Sequence, residues 1–486
     1  MNETRDFAAW LARLRYNDLP ENVVDFAKRF IFDDVGLLLG GALQLGNKAL
    51  MRDVLAQGEK PESTIPVYGL KTSAPNAALL NGAFICGWDY DAMTKPEVSG
   101  AHMSSEFAAA LALVERELPD GKEMITAVCA GIEAQARVGS ANRPYGWRIY
   151  PWHTNTTLGP IAGAVAAGKI LNFNEETMEN AIAICTHTMG GNYQHMLGWG
   201  SSMKRIRCGI GAQAGLRAAL LAREGLTGPK EALEGSKGYV ETMFWRGDGQ
   251  PPYGDLGLLT KDFGKLWYTP TFTSKGGGCY CVSAMGSSIE ATLALKSRYG
   301  FRPEDVESVV IEFNEPGQVA SNFSNLGTML GETPEQRLGT SGWSAQWLIA
   351  ETILLGKPTI DVQLNNIRPY GRYREIEELS KKISGRGNVE YYKEHFKGRP
   401  YPHEAGRVLI TLKDGRLLDG EPIPFIGQEM SDGSIYYNTM ETLKVKLAEQ
   451  APLAGISQHK QDRIIDICYH MKDQKDLLPL IANIVR

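Results

Sequence analysis

The chain has 486 residues, 43% of them hydrophobic and 22% charged, with a formal net charge of −5. Those proportions exclude wholesale disorder and leave room for two or three globular domains. A mild acidic excess without any basic run argues against a nucleic-acid partner or an anionic membrane.

The opening MNETRDFAAWL carries acids where an export signal needs a basic end and an apolar run. No apolar stretch reaches the roughly 18 residues of a membrane span. The expected compartment is therefore the cytoplasm. From Pro20 to about Gly225 the pattern is helical. Val23, Val24, Phe26, Ala27, Phe30, Ile31, Val35 and Leu38 keep the three–four spacing of a buried stripe. Further stripes cover Ala77–Ile85, Phe107–Val114, Met124–Val138, Leu158–Leu171, Met178–Met189 and Gly211–Leu221, with Ala and Gly at contact positions that let helix axes approach. After Trp267 the character changes. Val306–Phe313 reads as a strand, and Arg407–Leu412 with Arg416–Leu418 as a hairpin turning at Asp414-Gly415. Helical segments Ser287–Lys296 and Ser344–Leu355 lie between these strands. Tyr370–Lys397, rich in charge and tyrosine, reads as a solvated surface excursion. Thr442–Val485 returns to helix, with Ile464, Ile465, Ile467, Leu477, Leu478 and Leu480 as its apolar positions.

This order predicts a mainly α protein: a large all-helical domain with a smaller α+β lid domain inserted before a C-terminal helical return. The expected boundaries are 1–267, 268–428 and 429–486.

Four places carry polar residues in costly contexts. Gly87-Trp88-Asp89-Tyr90-Asp91 closes an apolar helix and leads through Thr94 to His102. A carboxylate and an imidazole on one loop suit acid–base work, although Asp91 or Thr94 as a cap is the plainer reading. Arg143–Thr157 (RPYGWRIYPWHTNTT) gathers Arg148, His153 and several aromatics, as a pocket lining would. Lys204, Arg205 and Arg207 open a small-residue helix, where the macrodipole disfavours cations. An anionic ligand explains them, and a solvated surface cluster is the competing reading. Ser274-Lys275-Gly276-Gly277-Gly278 is either an anion cradle or a hinge. The seven cysteines, Cys86, Cys129, Cys185, Cys208, Cys279, Cys281 and Cys468, are scattered without a CxxC. They read as reduced thiols, the histidines show no ligand spacing, and neither a metal nor another cofactor is expected.

Taken in order, NGAFICGWDYDAM, HMSSEFAAALALVE, AGIEAQARVG, WHTNTTLGPIAGAVAAGKIL, GSSMKRIRCGIGAQAGLRAALLA and WSAQWLIAETILLGKP resemble the MmgE/PrpD family over nearly the whole chain. That family includes 2-methylcitrate dehydratase, cis-aconitate decarboxylase and iminodisuccinate epimerase. The WHTNTT segment is closer to the decarboxylase and epimerase branch. The resemblance places Asp89, His102, His153 and Lys204 at catalytic positions. It implies a homodimer, and metal independence is expected from the absence of clustered Cys or His ligands in the sequence. The sequence departs from the family pattern at Cys86 and Arg207, each in place of a histidine, at Ala92 and Met93, at Lys275-Gly276-Gly277-Gly278, and at Trp347.

The expected activity is a cofactor-independent lyase, either dehydratase or decarboxylase. It would act on a succinate- or citrate-like di- or tricarboxylate by removing a proton next to a carboxylate. Thr94, Arg148, Arg205, Arg207 and Lys275 would bind the substrate. An epimerase of a substituted succinate and a non-catalytic carboxylate-binding protein are the alternatives.

Overall fold

The stripe from Val23 to Leu38 folds as one long helix because Pro20 fixes its entry and Glu21 complements the first-turn dipole. In this computed structural model the described residues are 2–94, 104–141, 152–192, 194, 203–243, 254–275, 283–314, 342, 344–367, 372–400, 402, 405–424, 430–432, 434 and 439–486. The first half contains α1 (Glu3–Arg13), α2 (Glu21–Gly41), α3 (Leu45–Ala56), α4 (Ala74–Ile85), α5 (Ser105–Leu111), α6 (Gly121–Ala141), α7 (Thr154–Ile170), α8 (Glu175–Cys185) and α9 (Met203–Arg223). The fold is mainly α.

Helix α9 is central, packing on α4, α5, α7 and α8. Its approach to α7 is set by glycine. A Cβ on Gly211 would stand 2.9 Å from the Gly159 Cα, so the two backbones touch where any larger residue would hold them apart. Such pairs explain why the small-residue stripes bury almost completely.

The second half supplies α10 (Ser283–Tyr299), β1 (Val306–Phe313), α11 (Ala345–Leu355), α12 (Tyr373–Ser380), β2 (Ile383–Gly387), β3 (Gly406–Leu412) and β4 (Leu417–Gly420). The sheet order is β2-β1-β3-β4. β1 runs parallel to β2 and antiparallel to β3, and β3–β4 is the hairpin expected at Asp414-Gly415. These elements enclose their own apolar cluster, from Met285 to Leu418.

The surface excursion expected at Tyr370–Lys397 is corrected. α12 buries Tyr373, Ile376 and Leu379 on one face, and β2 forms a sheet edge. The segment looked solvated because its charges occupy the other helix face and an edge strand, which must stay polar to avoid further pairing.

The C-terminal helices α13 (Met440–Leu453), α14 (Gln458–Tyr469) and α15 (Leu478–Asn483) join the large apolar cluster that begins at Phe7. Among the expected apolar positions Ile464, Ile467, Leu477 and Leu480 are buried, whereas Leu478 is exposed. α13 lies against α2, and the Val67 amide donates to the Ile484 carbonyl at 2.7 Å. Among the described residues no helix is long and apolar enough to cross a membrane.

Candidate functional site

Helix α4 ends at Ile85, and the chain turns through Cys86–Ala92 into a short strand, Met93–Thr94. Asp89 makes the turn possible. Its φ of +55° is left-handed, a conformation that Asp and Asn tolerate better than most residues. The first two turns of α9 face it at close range. A Cβ on Gly82 would stand 2.6 Å from the Gly209 nitrogen, and one on Gly209 would stand 2.0 Å from the Leu79 carbonyl. Two glycines therefore set the distance between the acidic turn and the cationic helix start.

Lys204 Nζ lies 3.3 Å and Arg207 Nη2 3.5 Å from Asp89 Oδ1, and Arg207 Nη2 is 3.9 Å from Asp91 Oδ2. Lys275 reaches the same turn from far along the chain. Met93 and Thr94 pair with Thr273 and Phe272, which places Lys275 beside Asp89. Its Nζ donates to the Asp89 carbonyl at 2.7 Å and stands 3.6 Å from Oδ2. Thr94 thus joins the site through backbone pairing.

Lys204, Arg205 and Arg207 are 3%, 0% and 1% exposed, which excludes the solvated-cluster reading. The anion opposite them is the protein's own Asp89. The capping role considered for Asp91 is also set aside, because Asp91 is buried between Arg207 and the Cys208 thiol. Arg205 is wholly buried, and its carbonyl accepts from the Cys86 thiol at 3.3 Å.

His153 is the N-cap of α7. Its Nδ1 accepts from the Asn155 amide at 3.4 Å, and Asn155 Nδ2 donates to Cys208 Sγ at 3.5 Å. The imidazole is therefore tied to the α9 start through one intervening side chain. His102 and Arg148 lie outside the described residues, as do Gly276, Gly277, Gly278, Cys279 and Cys281.

A second buried ion pair supports the turn from behind. Lys446 Nζ, from α13, lies 2.7 and 3.0 Å from the Asp33 oxygens, donates to the Tyr90 carbonyl at 2.9 Å, and sits 4.2 Å over the Tyr90 ring. Sequence reading missed it. The signal available was Asp33-Asp34 in the middle of an apolar helix stripe, a costly place for two acids.

The electrostatics follow from this dryness. Burial pulls the Lys204 ammonium well below the usual lysine range; Asp89 opposes the shift, while Arg207, Lys275 and Arg205 add to it. Burial and then the charge of Asp33 push the Asp34 carboxyl well up. Glu106, in the first turn of α5, is pushed by burial to about 8. The fold thus prefers protonated Glu106, and stability falls as pH rises from the unfolded value near 4.5 to about 8. Glu106→Gln is expected to raise the melting temperature clearly at pH 8 and little at pH 5. Thermal unfolding at both pH values checks this, and an equal shift at both would contradict it.

Comparison with known proteins follows the same lines. A profile of the MmgE/PrpD N-terminal domain matches residues 5–250. A cis-aconitate decarboxylase of Aspergillus terreus (strain NIH 2624 / FGSC A1156) is 26% identical over 426 residues, covering 85% of this chain and 83% of that protein. Another from Aspergillus terreus is 29% identical over the same shares. The cis-aconitate decarboxylase-like protein oryM of Aspergillus oryzae (strain ATCC 42149 / RIB 40) is 27% identical over 377 residues, or 74% of this chain and 75% of that one. With half of its length matched by the family's N-terminal domain, in the segment that carries Asp89, His153 and the α9 cations, the chain belongs to the MmgE/PrpD family.

Proposed function

We propose that the protein is a lyase that removes CO₂ from a citrate-like unsaturated tricarboxylate, without metal or organic cofactor. The observation that carries this reading is the charge of the buried site. Arg205, Arg207 and Lys275 set three cations against the carboxylates of Asp89 and Asp91, with Lys204 a fourth when protonated, an excess of one or two. That excess complements the carboxylates of a polyanionic acid, in a dry setting where each charge-assisted contact is strong.

Arg207 and Lys275 hold carboxylates in this scheme. Lys204, with its proton affinity lowered by burial, sits where it can exchange a proton with carbon next to a carboxylate or stabilise the enolate-like charge that develops there. Asp89 orients the lysines. His153 is the second proton carrier, held in place by Asn155. The names of the relatives favour loss of CO₂ over loss of water or return of the proton to the other face, which would give an epimerase. A homodimer through the helical domain remains part of the proposal and is checked by sedimentation at micromolar concentration.

The experiment is incubation with cis-aconitate in D₂O. The expected result is one CO₂ released per molecule consumed and one deuteron placed on product carbon. Neither CO₂ release nor deuterium exchange, with cis-aconitate and with a panel of succinates and citrates, would leave the carboxylate-binding alternative. Lys204→Met keeps most of the stem's packing and removes one charge-assisted hydrogen bond. It is expected to cost about 1.5–3 kcal/mol, roughly ten- to a hundredfold in turnover. Unchanged turnover would remove Lys204 from the mechanism.

A further inference from the structure

The Gly82–Gly209 contact has a second result. It brings Cys86, at the end of α4, next to Cys208, on the second turn of α9, and Asp91 folds back onto both. The two sulfurs and one Asp91 oxygen all lie within 4.8 Å of one another, and all three residues are buried. We propose that Cys86, Asp91 and Cys208 form a binding site for a soft divalent cation of the zinc class.

Three arguments support it, none of which depends on the reaction proposed above. The donor set is two thiols and a carboxylate, the combination that selects a thiophilic metal over magnesium or calcium. Three protein ligands leave a tetrahedral ion one open position. The third argument is charge. Without metal, the Arg207 cation near Asp91 is matched by that carboxylate. When a divalent ion enters, both thiols give up their protons to solvent. Two thiolates and one carboxylate then face the ion and Arg207, and the net charge of the buried cluster is again zero. Arg207 is thus the counter-charge that lets an otherwise anionic site stay buried. Without metal, Cys86 donates to the Gly82 and Arg205 carbonyls at 3.0 and 3.3 Å and Cys208 to Asp91 at 4.0 Å, and metal binding replaces these weak contacts.

The test is titration of the reduced, full-length protein with Cd²⁺ in the absence of substrate, followed by the thiolate-to-metal charge-transfer band in the ultraviolet. Wild type is expected to saturate at one equivalent, and Cys86→Ser with Cys208→Ser together should lose the band. Asp91→Asn should keep the band and bind roughly tenfold or more weakly. X-ray absorption on the zinc-loaded wild type should show two sulfur scatterers at about 2.3 Å with lighter atoms nearer. No band in folded wild type, or an all-nitrogen and oxygen shell, overturns the site. Should the double serine variant not fold, Cys279→Ser with Cys281→Ser decides: the band must persist there, and its loss overturns the proposal. Bound metal that raises turnover would support the site and refute only the cofactor-independent reading of the reaction.

Discussion

Asp89→Asn is expected to abolish most activity and to destabilise the fold at neutral pH. Asparagine keeps the shape and tolerates the left-handed backbone at this position, so the change removes charge and little else. Lys204, Arg207 and Lys275 then face one another without the carboxylate that now stands 3.3–3.6 Å from each. Removing one partner of a buried pair typically costs about 3–5 kcal/mol, and losing the group that orients the lysines should slow turnover about a hundredfold or more. The defect has a characteristic pH dependence. Burial already pulls Lys204 well below the ordinary lysine value of 10.5, and without Asp89 the pull is no longer opposed, so the folded variant gives up that proton at lower pH than folded wild type. Stability of the variant relative to wild type therefore rises with pH below the ordinary lysine value. Thermal unfolding across that range measures it. A variant as stable as wild type, or a deficit independent of pH, would show that the cations are not held by Asp89.

Lys446→Met should be nearly as damaging, although Lys446 lies on α13, outside the matched N-terminal domain. It leaves Asp33 buried without its counter-ion and the Tyr90 carbonyl without that donor, at a cost of about 3–5 kcal/mol. Asp33→Asn added to Lys446→Met removes the stranded acid and should recover much of that loss. It cannot restore the hold on Tyr90, the residue between Asp89 and Asp91. The double variant is therefore expected to melt close to wild type and still turn over slowly. If turnover recovers together with stability, Lys446 is structural and does not position the turn.

Much of the fold was legible in the sequence. The stripe that begins at Val23 shows its period because the first turns of α2 bury one face against the core, whereas Met124–Val138 is apolar because it is buried all round. The Asp414-Gly415 turn announced its hairpin because glycine supplies the φ of +87° the turn needs. Tyr370–Lys397 misled because an amphipathic helix and an edge strand hide few apolar residues among many charges. Of the site, the α9 cations and Asp89 were visible as residues in the wrong place, three cations at a helix start and an acid closing an apolar helix. Their partnership was not visible, because it depends on a Gly82–Gly209 contact between two helices. Lys446 was beyond reach for the same reason, since 413 residues separate it from Asp33.

That separation also sets a timetable for synthesis. At about 5–20 residues per second, a ribosome makes Asp33 roughly 20–80 s before its counter-ion. During that interval the nascent helical half carries two adjacent acids in a segment destined for the core, and α2 lacks the surface of α13 that will cover it. The emerging chain therefore cannot close its interior around α2 until α13 is available, and the Asp89–Asp91 turn acquires its rear support at the same moment. Completion of the candidate site is thereby coupled to near-completion of translation, and a chain stalled before α13 would expose an unfinished, acid-bearing groove to chaperones and proteases rather than a closed helical half.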